Sequence, residues 1–227
     1  ALAKSGVSKL VLIDGDVLET DNFARHLCGG LKSLYSYKVA AVSDRIRENM
    51  PALKTVCKNE DVHKLLVESP CFIEDEKVET VFLATGTFST ELHVLSTLKE
   101  KGLKTSVASI WLEPYGVAGH ALVLNDPSAL ADLPFGEDLA YADSLVLNAD
   151  ELTKREAGCV STYMPYSGSD ALIFVNTFLK MYAEKMSDGG NYCFDWFGGV
   201  SSSGQYPVNL RDEAFAHADY SCEVRKL

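Results

Sequence analysis

Five residues near the start of the chain have types and spacing that suit a bound nucleotide. Asp14 and Asp16 end an apolar run, and Asn22, Arg25 and Lys38 follow in that order. A carboxylate at the carboxyl end of a buried strand can accept hydrogen bonds from ribose hydroxyls, and cationic side chains can neutralise phosphates. The pattern therefore predicts a nucleotide site, with carboxylates at the ribose and cations at the phosphates.

Each of these residues also has a simpler interpretation. Aspartate often caps a turn, so Asp14 and Asp16 alone would favour a turn after the strand. Arg25 and Lys38, taken one at a time, would be expected as solvated surface cations. The nucleotide interpretation depends on the whole ordered set, because single short motifs are weak signals.

A second candidate is Cys159, in the segment Gly158–Pro165, which reads GCVSTYMP. A thiol on a loop before a helix can be a nucleophile if nearby cations or the helix N-terminus lower its pKa. The alternative is a buried structural cysteine, the commonest fate of a free cysteine. The other five cysteines are scattered, so we expect reduced, cytosolic thiols and no structural zinc site.

These residues must be positioned by an alternation of strands and helices. Predicted strands cover residues 9–13, 54–58, 80–84, 104–111 and 120–124, and predicted helices cover 37–49, 60–67, 89–101 and 169–185. The alternation favours an α/β fold with a Rossmann-like, doubly wound and mainly parallel sheet.

The rest of the chain is less regular. The strands on either side of Glu113–Gly116 predict an antiparallel extension, and residues 126–158 predict a long crossover segment. The aromatic run Tyr192–Phe197 is more typical of a core or dimer contact than of a ligand site, and the remainder resembles loop. For His120 we favour a position at a strand entry over one facing the nucleotide. The other histidines show no metal or triad spacing.

Composition excludes several classes of protein. At 227 residues the chain can hold one large α/β domain, or one domain with an appendage. A net charge of −11 argues against nucleic acid. No apolar run reaches the roughly 20 residues of a membrane span and no signal peptide begins the chain, so we expect a cytoplasmic protein without membrane contact.

The ordered set resembles a known family. A strand followed by Asp14-x-Asp16, Asn22-x-x-Arg25 and Lys38 opening a helix is similar to the ThiF/MoeB/HesA adenylyltransferases and the ubiquitin-activating enzymes that share their fold. The resemblance implies that Asp14 binds the ribose of ATP, and that Asn22, Arg25 and Lys38 contact its phosphates, with Mg²⁺ present.

The resemblance also implies a domain organisation. Residues 1–124 would be the nucleotide-binding core, whose first strand and glycine-rich loop are expected upstream of Ala1. Residues 125–227 would be the crossover loop, helix and C-terminal extension of the same domain. The implied reaction is ATP-dependent adenylation of the C-terminal carboxylate of a ubiquitin-like or sulfur-carrier protein, by a homo- or heterodimer. Cys159 would then accept the acyl group as a thioester, before a possible conjugating-enzyme partner.

Two departures from the family pattern keep an alternative open. Gly86 stands where the family usually has a magnesium-binding Asp, and Val160 replaces the Thr after the reactive cysteine. The alternative is a catalytically degenerate scaffold or regulatory subunit of such an enzyme. A nicotinamide-dependent dehydrogenase would also use a strand-end acid, but it gives no reason for Asn22, Arg25 and Lys38 in this order.

Overall fold

A computed structural model describes residues 1–23, 26–127, 129, 133–136, 140–155, 162–185 and 188–227 of the protein. The chain divides into two compact units, Ala1–Val78 and Glu79–Leu227. The predicted organisation into 1–124 and 125–227 is a different division and stays a prediction. Among the described residues, no helix is both long and apolar enough to cross a membrane.

The first unit is built on two parallel strands. Its elements are β1 (Lys9–Ile13), α1 (Lys38–Asn49), β2 (Lys54–Lys58), α2 (Val62–Glu68) and α3 (Phe72–Asp75), with 3-10 turns at Leu2–Lys4, Thr20–Asn22 and Leu31–Ser33. Val11 of β1 lies opposite Val56 of β2. α2 begins at Asp61, whose carboxylate accepts the backbone N–H groups of His63 at 2.7 Å and Lys64 at 3.2 Å, which are the donors left open at a helix start.

The second unit contains a larger, mixed sheet. The strands of this unit are β3 (Thr80–Leu83), β4 (Ser106–Leu112), β5 (Ala118–Leu124), β6 (Lys154–Arg155), β7 (Thr162–Tyr163), β8 (Tyr192–Phe197) and β9 (Ser221–Lys226). Its helices are α4 (Phe88–Glu100), α5 (Ala149–Leu152) and α6 (Gly168–Lys185), with 3-10 turns at Pro114–Gly116, Val200–Gln205 and Asp212–Ala216. The five-stranded sheet has the order β3-β4-β5-β8-β9. Only β3 and β4 pair in parallel within it; β4–β5, β5–β8 and β8–β9 are antiparallel.

The core of the second unit is aromatic. Phe174, Phe178 and Tyr182 occur at a spacing of four residues along α6, so they lie on one face of the helix. This face packs on β8, where the ring of Phe178 meets that of Phe194 edge-on at 5.4 Å and Phe174 lies 5.7 Å from Trp196. All six residues of β8 are buried, which agrees with the prediction that this aromatic run is core.

The prediction of an α/β fold is confirmed, but that of one doubly wound, mainly parallel sheet is not. The described residues form a two-stranded parallel sheet, a five-stranded mixed sheet and a short antiparallel pair of β6 with β7. In the five-stranded sheet the antiparallel part reaches beyond β5 to β8 and β9. The region of β9 was not predicted as a strand because its apolar alternation is short, with only Cys222 and Val224 apolar. Charged residues are common on an edge strand, where they discourage pairing with other chains.

Candidate functional site

The predicted nucleotide residues lie in the first unit, beginning at the end of β1. The backbone N–H of Asp16 donates to Oδ1 of Asp14 at 2.8 Å, an arrangement that makes a tight aspartate turn. Oδ2 of Asp14 has no hydrogen-bond partner among the described residues, so this oxygen can accept from a ligand hydroxyl. Both the turn interpretation and the ribose interpretation of Asp14 are therefore compatible with its geometry.

Backbone hydrogen bonds between residues 16–18 and residues 35–38 bring Lys38 to this turn. The fully buried Leu18 donates its N–H to Ser36 and accepts from Tyr35, each at 2.8 Å. The backbone N–H of Lys38, at the start of α1, then donates to the Asp16 carbonyl at 2.9 Å. Its ammonium lies 2.7 Å from Oδ2 of Asp16, whose side chain is 70% exposed. An ammonium has three donors, so Lys38 can hold Asp16 and still donate to an anion.

Asn22 has a local structural role in the same region. Its side-chain Oδ1 accepts the backbone N–H of Glu19 at 3.1 Å, which caps a 3-10 turn, and the residue is buried. Arg25 lies outside the described residues. His26 follows it, and burial together with the charge of Lys38 lowers the pKa of His26. The structure thus brings together Asp14, Asp16 and Lys38, with Asn22 as a buried cap nearby in sequence.

A cavity of about 590 Å³ lies in the same unit, but beside these residues rather than among them. Its lining comes from residues 27–36 and from one face of α1, and includes Lys32, Arg45, Arg47, Asp44 and Glu48. None of the predicted ribose or phosphate residues that the structure describes lines it. We therefore locate the candidate site at the Asp14 turn, where the chemistry of the side chains fits a nucleotide.

Gly86, which the sequence predicts at the position of a magnesium-binding Asp, follows β3 in the second unit. It has a φ of +68°, and an added Cβ would meet no heavy atom within 4 Å. The buried carboxylate of Glu91 accepts hydrogen bonds from the N–H of Thr85 at 3.2 Å, from its hydroxyl at 2.9 Å, and from the hydroxyl of Ser109. Glu91 therefore holds this loop in place. The described residues contain no group of three or more His, Cys, Asp or Glu that could bind a metal.

The second unit also contains a buried charged cluster that the sequence did not predict. His120 on β5 lies between two carboxylates, with Nε2 at 2.6 Å from Oε1 of Glu113 and Nδ1 at 2.8 Å from Oδ1 of Asp195. The three residues are 1%, 4% and 5% exposed. Burial disfavours a charged imidazole, yet the hydrogen bonds to Asp195 and Glu113 outweigh burial and raise the pKa of His120 to about 9.

The cluster was hidden because its members are far apart in sequence. Asp195 belongs to the aromatic run that became β8, and Glu113 to the connection between β4 and β5. His120 lies inside β5, which begins at Ala118 rather than at the predicted residue 120. His120 and Asp195 are direct register partners in the antiparallel β5–β8 pair, and that register cannot be read from residue spacing.

Cys159 lies outside the described residues. On either side of residues 156–161, β6 and β7 pair antiparallel, with Lys154 opposite Tyr163. Downstream, the carbonyl of Pro165 accepts the backbone N–H of Tyr115. The prediction that Cys159 is a nucleophile stays a prediction.

Comparison with known proteins gives a family and a fold. Residues 1–170 match the ThiF family. A crystal structure of PaaA is 18% identical, covers 99% of this chain and 58% of its own, and superposes with a TM-score of 0.50. Escherichia coli MccB crystallised with ATP is 14% identical over 53% of this chain and 34% of its own, with a TM-score of 0.43. TcdA (CsdL) is 18% identical over 45% of this chain and 40% of its own, with a TM-score of 0.40. No curated protein sequence matches the chain. The chain thus spans less than two thirds of the solved chains named here.

Proposed function

Since the chain belongs to the ThiF family, in the superfamily of E1-like adenylyltransferases, we propose that its first unit binds ATP at the Asp14 turn. Asp14 would accept from the ribose hydroxyls, and Asn22, Arg25 and Lys38 would contact the phosphates. The observation that carries this proposal is the arrangement of Asp14, Asp16 and Lys38, in which one carboxylate oxygen and further ammonium donors are available to a ligand.

The role of Asp16 in this proposal is to orient Lys38. The pair is largely solvated at Asp16, so its contribution to stability is small, at about 0–1 kcal/mol. A weak, exposed partner can hold an ammonium near a phosphate without competing strongly for it. We therefore infer that Asp16 prepares the site before ATP arrives and does not itself contact the phosphates.

The proposed reaction is adenylation of a carboxylate. A carboxylate oxygen of the substrate attacks the α-phosphorus of ATP, the bond to the bridging oxygen breaks, and pyrophosphate leaves. Because two anions must approach each other, Arg25 and Lys38 would act mainly by neutralising charge. Mg²⁺ would accompany ATP and neutralise further charge when bound. Since position 86 carries no carboxylate, we assign no step to a metal held by this chain.

The substrate we propose is the C-terminal carboxylate of a ubiquitin-like or sulfur-carrier protein. In a second step the sulfur of Cys159 would attack the acyl carbon, AMP would leave, and the thiol proton would pass to solvent. A conjugating enzyme could then take up the acyl group. We further propose that the protein works as a homo- or heterodimer in the cytoplasm.

The experiment that tests the first step is ATP–pyrophosphate exchange by the full-length protein with candidate carrier proteins. We expect exchange that depends on the carrier and is lost in Lys38→Ala. For the second step, a thiol-sensitive carrier adduct should form and should be absent from Cys159→Ala. An adduct that survives this substitution would exclude Cys159 as the nucleophile.

A second candidate function is a catalytically silent subunit that supports a partner enzyme. The observation that favours it is Gly86 at the position of the family's acidic residue. ATP binding separates the two, because a scaffold has no need of the nucleotide. If the protein binds a partner of the same family but no ATP, the scaffold is the better account.

A further inference from the structure

The charge on His120 can be assigned from hydrogen-bond geometry alone. A neutral imidazole donates from only one nitrogen, but both nitrogens of His120 lie within 2.8 Å of a carboxylate oxygen. The two carboxylates are held in the ionised form, since their oxygens accept hydrogen bonds from other donors. Oε1 and Oε2 of Glu113 accept the backbone N–H groups of Leu145 and Val146 at 2.7 and 2.6 Å.

Asp195 is occupied in the same way. Its Oδ1 accepts the hydroxyl of Tyr141 at 2.9 Å, and its Oδ2 accepts Nη2 of Arg225 at 2.9 Å. These contacts, together with His120, lower the pKa of Asp195. Each of the two contacts of the ring needs one proton, and both protons are therefore on His120, which is an imidazolium.

The donors to these carboxylates come mainly from one stretch of chain, residues 140–148, which we call the clamped segment. Tyr141, Leu145 and Val146 are all buried. Outside the cluster the segment has further ties. The Leu145 carbonyl accepts from the N–H of Arg211 at 2.9 Å, and the N–H of Leu147 donates to the Asn209 carbonyl at 2.8 Å. Asp143 also pairs with Arg225 of β9. Residues of the segment, together with Asp195, line a cavity of about 350 Å³.

Both carboxylates that hold the clamped segment are in turn held by one ring. If His120 lost its second proton, one of its nitrogens would present a lone pair to a carboxylate oxygen at under 3 Å. This contact is repulsive, and it would leave two buried negative charges with one fewer donor. Either Glu113 or Asp195 would have to move, and the donors of the segment would lose their acceptor.

We propose that the His120 imidazolium is a protonation-dependent clamp, which fastens residues 140–148 to the sheet while it carries its second proton and releases them when it loses that proton. The proposal concerns the second unit and is independent of the proposed nucleotide site.

Among the residues that the structure describes, the aromatic, titratable and charged groups around the His120 cluster come from three parts of the chain. From β4 and the turn after it come the Trp111 ring and Glu113; from the clamped segment come Tyr141 and Asp143; from β8 and β9 come Cys193, Asp195 and Arg225. Burial raises the pKa of Tyr141 above its usual value of 10 and that of Cys193 to about 11. These two groups therefore keep their protons over the range in which His120 titrates.

The direction of the pH effect follows from the pKa of His120, which is about 9 in the fold against 6.5 when free. The stabilisation is fully present below pH 6.5 and is lost as the pH rises through about 9. For one proton with these two values, the equilibrium constant for opening rises roughly 20-fold between pH 6 and pH 8, and about tenfold more by pH 10.

The test is amide hydrogen exchange of the intact chain at pH 6 and pH 8, corrected for intrinsic exchange rates. We expect the protection of Leu145 and Val146 to fall by about 20-fold and to stay below that of Ala121 and Phe194 in the β5–β8 ladder, which exchange only when the sheet opens. Protection of Leu145 and Val146 that does not change with pH, or that equals that of Ala121 and Phe194 at both pH values, would overturn the proposal. This comparison needs no variant, so it decides the matter even if substitution of His120 prevents folding.

Two variants sharpen the test. Glu113→Gln removes one charge, so the pH transition at Val146 should move to lower pH, a result that a purely structural role does not predict. His217→Gln removes a histidine that lines the same cavity and pairs with Glu223, and it should leave the transition unchanged. If the transition shifts in His217→Gln and not in Glu113→Gln, then His217 is the titrating group and the clamp is refuted.

Discussion

Truncation of Glu113 to alanine should strongly destabilise the second unit. The side chain accepts from His120, Leu145 and Val146, and all of these donors are buried. Hydrogen bonds to a charged group contribute about 1.5–3 kcal/mol each, but such terms are not additive. Removing one partner of a buried ion pair typically costs about 3–5 kcal/mol, which we take as the expected loss in the free energy of unfolding.

The assay is urea denaturation followed by tryptophan fluorescence at pH 7. Both tryptophans, Trp111 and Trp196, lie in the second unit, so the signal reports on that unit. With a slope of about 2 kcal/mol per molar urea, the midpoint should fall by about 1.5–2.5 M. The matched control is Glu184→Ala, at an exposed position on α6, which should change stability by less than about 0.5 kcal/mol. A loss below about 1 kcal/mol for Glu113→Ala, the range of an exposed ion pair, would refute the buried network.

Four further substitutions test other parts of the structure. Phe178→Ala should cost about 3–5 kcal/mol in urea denaturation because it empties the aromatic core, and a loss under 1 kcal/mol would contradict the packing of α6 on the sheet. Gly198→Ala should cost about 1–3 kcal/mol, since its Cβ would overlap the Gly116 carbonyl oxygen; wild-type stability would exclude this close approach. Lys38→Ala should weaken ATP binding in calorimetry by about tenfold while changing stability by less than about 1 kcal/mol, and unchanged affinity would remove Lys38 from the site. Gly86→Asp should fold, since aspartate tolerates positive φ, and should raise pyrophosphate exchange if the missing carboxylate limits the reaction; no increase would count against that explanation.

Local pattern predicted much of the fold. The observed bounds of β1 and β2 are those predicted. The starts of α1 and α6 differ by one residue, and α4 is shifted by one residue at both ends. These elements have strong apolar periodicity and clear helix ends, which are local properties. The pairing of strands was not predictable in the same way, because β8 joins β5, and β9 joins β8, across long stretches of chain.

The candidate site shows the same division. The positions of Asp14 and Asp16 after a strand and of Lys38 at a helix start were predictable because both are local properties, and their role in a nucleotide site stays a prediction. The capping role of the Asn22 side chain was not predicted, because it depends on a 3-10 turn. A contact of Asn22 with the phosphates stays a prediction. The cluster around His120 could not be found by spacing, because it depends on the register of β5 against β8.

The central claim is that the Asp14 turn binds ATP. The most direct test is calorimetric titration of the full-length protein with ATP, comparing wild type with Asp14→Ala and with a matched Asp44→Ala control on the exposed surface of α1. We predict saturable binding that Asp14→Ala weakens by at least about tenfold, through loss of hydrogen bonds to a charged acceptor, and that Asp44→Ala leaves unchanged. Absence of ATP binding by the wild type, or equal affinity in all three proteins, would contradict the claim.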